Sequence, residues 1–203
     1  MTRVLGLTGS IAMGKSTAAR ILRRMRVPVY DSDAEIHRLL ARGGDGVAPV
    51  AAAFPGVVRE GSVDRAALGA RVFADPADLR RLEAILHPLA WRNQRAFLAR
   101  HMRARTKLVC LDVPLLYETM GERNCDLVVV VSASAAIQRQ RALARPGMTP
   151  EKLAGILARQ MPDAKKRALA DLVAVSALGQ LATLRALRKA ARLARRIPRR
   201  RKN

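Results

Sequence analysis

The stretch VLGLTGSIAMGKST, Val4 to Thr17, runs from an apolar strand pattern, Val4 to Leu7, through Gly9-Ser10-Ile11-Ala12-Met13-Gly14-Lys15-Ser16 into the helix-like AARILRRM. Its spacing fits G-x-x-x-x-G-K-[ST], a phosphate-cradling loop, in the strand-before and helix-after setting that the motif requires. A polyphosphate must be wrapped by backbone N–H groups, and glycine at the tight positions lets main chain come close enough. The helix start adds further N–H groups and a partial positive charge. Lys15 is placed to reach the outer phosphates, Ser16 to offer its hydroxyl to a bridging magnesium ion, and residues 9 to 17, through Thr17, form the nucleotide cradle. A chance Gly-rich turn is the alternative, and the flanking elements weigh against it.

The totals bound what such a loop can serve. A length of 203 residues suits one α/β domain with a small insertion and buries a core without disulfides. Met1 leads directly into the strand, leaving no room for a signal or transit peptide, and no apolar run is long enough to span a bilayer; a cytoplasmic protein is expected. Cys110 and Cys125 lack metal-like spacing and read as small hydrophobes in a reducing compartment. With 38 Lys plus Arg against 16 Asp plus Glu, the net charge is +22. That predicts affinity for polyanions, either nucleic acid or small phosphorylated substrates, because clustered arginine also serves a kinase site. Aromatics at 3% argue against a stacking platform for single-stranded nucleic acid.

Beyond the loop, a helix from Ser16 to about Met25 leads to a short strand, Val27 to Tyr30, which delivers Asp31-Ser32-Asp33. In a parallel sheet the carboxyl ends of the strands line the ligand crevice, so one of these acids is read as capping the turn and the other as chemical; both capping the next helix is the alternative. Residues 42 to 61, rich in Gly, Ala and Val, lead into a charged helical stretch through Met102. Within it Leu79, Leu82, Ile85 and Leu86 recur at helical spacing, Asp75-Pro76 marks a helix start, and His87-Pro88 interrupts the run. His87 either contacts an anionic substrate or satisfies backbone groups. Lys107 to Leu116 is a buried-strand pattern whose Asp112 either assists magnesium or substrate or stabilises the turn before Pro114. Cys125 to Val131 is a further apolar strand, and Ser132 and Ser134 can cap the helix after it. That helix, Ala135 to Ala144, carries Arg139, Arg141 and Arg145, and a Pro-Gly turn joins it to another from about Glu151 to Met161, as a lid over phosphates would be built. Each arginine taken singly also fits a solvated surface. After a helix over 163 to 170 comes a last short strand, Leu172 to Val175. From Arg185 to Asn203 there are ten Lys or Arg and no acid; the first half should dock on its Leu and Ala face, and IPRRRKN should be disordered. This tail is read as solubilising charge or as weak nonspecific attraction to polyanions, with no specific nucleic acid and no membrane as partner.

Taken together, the segments GLTGSIAMGKST, VYDSDAEIHRL, GSVDRAAL, VFAD, LEAILHP, LDVPLLYET, VVVVSAS with QRQRALARPGMT, and ILARQMP with KKRALAD resemble the dephospho-coenzyme A kinase family along nearly the whole chain. The resemblance implies a three-layer α/β phosphate-loop NTPase fold with a five-stranded parallel sheet, an inserted helical substrate-binding domain and a helical lid. The core would span about 1–35 and 105–190, the insertion about 36–104, the lid about 139–160 and the basic tail about 185–203, all within one kinase domain. It also implies the last step of coenzyme A synthesis: transfer of the ATP γ-phosphate, with Mg2+, to the ribose 3′-hydroxyl of dephospho-coenzyme A. Asp33 then aligns with the general base, Lys15 with the phosphate-stabilising lysine, Ser16 with the magnesium-side hydroxyl, Arg141 and Arg145 with the lid arginines, and His87 with the substrate-side HP segment. Two departures stand out. Ala12 replaces a second loop glycine; its methyl group is tolerable where the residue keeps ordinary dihedrals, ATP binding is expected to be retained, and this is the position of the loop at which strain is to be sought first. ADLVAVSALG puts Val175 where the family commonly has an acid, so the adenine-side contacts there are open. Another nucleoside or nucleotide kinase, or a basic nucleic-acid-binding protein with an idle nucleotide site, are the rival readings.

Overall fold

The computed structural model describes residues 1–197. Its elements in chain order are β1 (Arg3–Thr8), α1 (Lys15–Arg24), β2 (Val29–Asp31), α2 (Ser32–Leu40), α3 (Val47–Ala53), β3 (Val58–Arg59), β4 (Ser62–Val63), α4 (Arg65–Ala74) and α5 (Pro76–Arg103). Then follow β5 (Leu108–Asp112), β6 (Leu127–Ser132), α6 (Ala135–Leu143), α7 (Pro150–Arg159), α8 (Asp163–Leu169), β7 (Leu172–Val175) and α9 (Gly179–Arg196). They group into two compact units, one of Met1–Tyr30 with the chain from His101 onward, the other of Asp31–Arg100.

In the first unit the strands lie in the order β2-β5-β1-β6-β7 in a five-stranded parallel sheet, as expected. Parallel strands are covered on both faces, which is why β5 and β6 are apolar and buried at every position. On one face Leu5, Leu7, Val129 and Val131 pack against Ala18, Ala19 and Leu22 of α1 and Leu187, Ala190, Ala191 and Ala194 of α9. The basic C-terminal stretch thus docks through its Leu and Ala face as expected; the expected disorder of its end, past Ile197, lies outside the described residues. On the other face Gly6 sits so close to Cys125 Sγ and Leu116 that an added Cβ would fall 2.8 and 2.9 Å from them. Both cysteines are buried and unbridged, in keeping with their reading as small hydrophobes.

The amino-terminal edge of this sheet carries a device used twice. Asp126, just before β6, accepts from Val4 N–H through Oδ2 at 2.8 Å while its own N–H donates to the Val4 carbonyl at 2.8 Å. Asp171, just before β7, does the same with Val128, at 2.8 and 3.1 Å. The last short strand, Leu172 to Val175, forms as predicted, whereas β2 starts at Val29 rather than Val27 because Arg26, at φ 59°, still belongs to the turn out of α1.

The second unit has its own core: Val50, Phe54, Val57, Leu68, Val72 and Leu86, flanked by Leu79, Leu82 and Ile85 at their predicted helical spacing. The guanidinium groups of Arg71 and Arg81 lie over the Phe54 ring at 5.4 and 5.7 Å. Inside the Gly-, Ala- and Val-rich stretch the structure places the helix α3 and a hairpin, β3 with β4, turned by Glu60 and Gly61 at φ 50° and 76°. A new helix does start at Pro76, with Asp75 Oδ1 accepting from Ala77 N–H at 2.7 Å. The interruption expected at His87-Pro88 does not occur: α5 runs through Pro88. Proline deletes one hydrogen bond of the ladder, and the apolar stripe Leu79, Leu82, Ile85 and Leu86 just before it anchors the helix in the core of this unit.

Candidate active site

The loop between β1 and α1 shows two reasons for its glycines. At Gly9 a Cβ would fall 2.5 Å from the Val131 carbonyl oxygen, so the backbone of β6 itself requires glycine there. Gly14, at φ 94°, is the N-cap of α1, and its carbonyl accepts from Thr17 and Ala18 N–H. No side chain caps this helix start and its first turn carries no acid, the form of helix N-terminus that suits an anion. Ser10 and Met13 are buried beneath the loop; the Ser10 carbonyl accepts from Met13 N–H at 3.2 Å, and Met13 Sδ from Ala133 N–H at 3.1 Å. Ser16 is exposed and Thr17 half-buried in the first turn of α1.

Ala12 does not keep ordinary dihedrals. Its φ is 61°, in the left-handed region, which costs an L-residue about 1–2 kcal/mol. The methyl group is buried against Ala142 and Leu153, with Ile11, Leu143 and Met148 around them. The same two helices grip the loop at Ile11, whose N–H donates to Gln160 Oε1 at 3.0 Å and whose carbonyl accepts from Gln138 Nε2 at 2.9 Å.

The register Leu7↔Asp112 between β1 and β5 brings the Asp112 carboxylate beside the end of β1, where Lys15 Nζ meets Oδ1 at 2.7 Å. This carboxylate, 2% exposed, pairs with the loop lysine. In the turn after it, Thr8 Oγ1 and Lys166 Nζ both donate to the Pro114 carbonyl, at 3.0 and 2.9 Å. Arg141, half-buried on α6, donates from Nη1 to Ser176 Oγ at 2.8 Å. A Cβ built at Gly14 would lie 3.7 Å from that Nη1 and 3.0 Å from Ser176 Cβ, so guanidinium and hydroxyl flank the end of the loop.

Phosphate loop, lysine–aspartate pair and arginine stand together at the carboxyl edge of a parallel sheet, and a family model described as dephospho-CoA kinase matches residues 3–179. The chain belongs to the dephospho-CoA kinase family. It is 66% identical over 165 residues to the dephospho-CoA kinase of Paramagnetospirillum magneticum, covering 81% of this chain and 78% of that one. With the dephospho-CoA kinase of Rhodospirillum rubrum it shares 58% identity over 187 residues, 91% of this chain and 88% of the other. A crystal structure from Thermus thermophilus superposes with a TM-score of 0.80 at 34% identity, covering 97% of this chain and 99% of its own. The dephospho-CoA kinase of Campylobacter jejuni, at a TM-score of 0.68 and 20% identity over 95% and 98% of the two chains, shares the fold.

Other residues singled out for a dephospho-CoA kinase site are spread more widely. Arg145 is exposed just past the end of α6. In the Asp31–Arg100 unit, Asp31 Oδ1 caps α2 by accepting from Ala34 N–H at 3.1 Å, leaving Asp33 exposed in the first turn of that helix. His87, half-buried there, has its ring 5.5 Å from that of Trp91. Ser134 caps α6 as predicted, accepting from Ile137 N–H, but Ser132 donates instead to Asp163 Oδ2 at 2.7 Å.

Several side chains around the loop escaped the sequence reading: Gln138, Gln160, Ser176 and the fully buried Lys166, which pairs with Glu118 Oε1 at 2.9 Å. Gln138 had a signal, as a polar residue one turn from Ala142 on the buried side of an arginine-rich helix. Lys166, in a run of three basic residues, had none. Burial pushes the Cys110 thiol well above its ordinary range, and the neighbouring Asp112 carboxylate adds to this. Among the described residues no three His, Cys, Asp or Glu side chains form a metal-holding group, and no helix is long and apolar enough to cross a membrane.

Proposed function

We propose that the chain transfers the γ-phosphoryl group of ATP to the ribose 3′-hydroxyl of dephospho-coenzyme A, giving coenzyme A and ADP. The observation that carries this reading is the uncapped, acid-free start of α1 behind Gly14, with Lys15 and Arg141 beside it, in a chain of this family. Those groups fit a polyphosphate: N–H donors, one ammonium and one guanidinium, with nothing of like charge in the helix's first turn. For magnesium the fitting donors are the Ser16 hydroxyl and the Asp112 carboxylate, a sparse set that suits an ion held mainly by substrate phosphates and water. Bound ATP with its metal supplies the phosphoryl group and part of the charge neutralisation.

The protein's share is positioning and electrostatics. The loop N–H groups and Lys15 orient the donor phosphates, and Asp112 keeps the lysine aimed. Arg141 meets the charge that collects on the transferring group, with Arg145 as a further phosphate contact from the lid formed by α6 and α7. Asp33, two residues beyond β2, accepts the 3′-hydroxyl proton as the oxygen–phosphorus bond forms, and need not be strongly basic beforehand. His87 contacts the acceptor from the helical unit, which serves as the acceptor-binding arm. The outward basic face of the C-terminal stretch attracts polyanions weakly and in a salt-sensitive way.

Purified protein with ATP, Mg2+ and dephospho-coenzyme A should yield coenzyme A and ADP, while free nucleosides should be far poorer acceptors; no turnover refutes the reading. Asp33→Asn should lower kcat by about a hundredfold or more while ATP still binds, and an unchanged kcat removes Asp33 from the base role.

A further inference from the structure

The tip of the phosphate loop is held by side chains from both helices that follow β6. Ile11 belongs to neither helix nor strand, so its peptide groups have no ladder partners, and a buried or half-buried peptide left unpaired is costly. Two glutamines supply the partners. Gln138, 7% exposed on α6, gives its Nε2 hydrogen to the Ile11 carbonyl, and Gln160, the residue that ends α7, takes the Ile11 N–H on Oε1. The polarity at each end is forced, because an N–H can only donate and a carbonyl can only accept.

A single face of α6 therefore reads three consecutive parts of the loop. Gln138 holds Ile11, Ala142 packs on Ala12, and Arg141 stands with Ser176 beside Gly14. In a trans peptide the carbonyl and the next N–H point in opposite directions. Fixing the Ile11 carbonyl on α6 therefore turns the Ala12 N–H away from that helix, and it does so at the residue whose left-handed φ an alanine does not adopt unaided.

We propose that Gln138 and Gln160 are positioning residues for the phosphate donor: they set the peptide planes on either side of Ile11, and with them the aim of the loop's N–H groups. Donor affinity then depends on α6 and α7 being seated on the loop, which couples the arginine-bearing segment to the cradle it covers. The inference rests on the kinase reading above.

Opposite polarity at the two glutamines makes the test specific. Affinity for Mg2+ with a non-hydrolysable ATP analogue is measured by titration calorimetry for wild type, Gln138→Met, Gln138→Glu, Gln160→Met and Gln160→Glu near neutral pH, with thermal melts to confirm folding. Both methionine variants should bind about tenfold more weakly, the order expected for one lost buried hydrogen bond. Glutamate should rescue position 160, where an acceptor is needed, and fail at position 138, where a carboxylate would face the Ile11 carbonyl. KM for the acceptor should stay put while KM for ATP follows the affinities. Should Gln138→Glu not fold, Gln138→Met together with the position-160 pair still decides the matter. Equal binding by all variants, or equal weakening by glutamate at both positions, overturns the inference. A wild type that binds no analogue overturns the kinase reading beneath it.

Discussion

Replacing Ala12 with glycine should be nearly neutral for stability, although it removes a left-handed alanine. Relief of the φ 61° conformation returns about 1–2 kcal/mol. Against that, the buried methyl that packs on Ala142 and Leu153 is worth about 0.8 kcal/mol. The extra freedom of glycine in the unfolded chain costs a further 0.4–1 kcal/mol or so. The terms offset to within about 1 kcal/mol, which explains how an alanine persists at this position. Urea denaturation of the two proteins, with m unchanged, measures the difference directly. Ala12→Val provides the contrast: a β-branched residue at this φ has no relaxed conformation, and a loss of about 2 kcal/mol or more is expected. A gain above about 2 kcal/mol for Ala12→Gly would mean that the methyl contributes nothing by packing, and a loss of that size would mean that the backbone is not strained.

Further outcomes follow from other sites. Lys166→Met leaves the Glu118 carboxylate without its buried cation, which should cost about 3–5 kcal/mol and lower Tm by on the order of 10 °C. Adding Glu118→Gln should recover part of that loss, since an amide oxygen can still accept from Met161 N–H. Cys110, protonated at neutral pH because burial raises its pKa, should resist a thiol reagent in the native protein and react once the chain is unfolded in urea. Ser176→Ala frees Arg141 from its hydroxyl partner and should weaken Mg2+–ATP binding by a few-fold, read by the same calorimetry.

The parts of this protein written in local patterns could be read in advance. Strands of unbroken Val and Leu, a glycine-spaced loop between strand and helix, and the Leu and Ala stripe of α9 all depend on near neighbours in the chain, and they formed as expected. The same holds for the cap in Asp31-Ser32-Asp33, which Asp31 supplies, since a cap is a contact between near neighbours in the chain. What stayed hidden needed long-range register or a third dimension. Asp112 pairs with Lys15 because β1 and β5 align Leu7 with it, a fact no spacing of residues along one strand contains. Gln138, Gln160 and Ser176 each meet the loop or its arginine from far along the chain, and glutamine and serine are too common on surfaces to stand out. Ala12 could be marked as the strained position from its departure from glycine, but its left-handed φ of 61° is set by packing from helices far along the chain. Proline's usual effect misled at Pro88, where tertiary packing outweighed one missing hydrogen bond.

The reciprocal bonds of Asp126 with Val4 and Asp171 with Val128 act as a zero mark from which the alignment of β1, β6 and β7 is measured. In a parallel sheet a slip of one residue would carry every side chain of the strand to the opposite face, against the wrong covering helices, and these clasps oppose it at the edge remote from the phosphate loop. Because alignment is settled there, the opposite edge is under no obligation to maintain it. Substitutions in the loops at that edge, Ala12 and Val175 among them, can alter how a nucleotide is held while the frame that carries them stays in step.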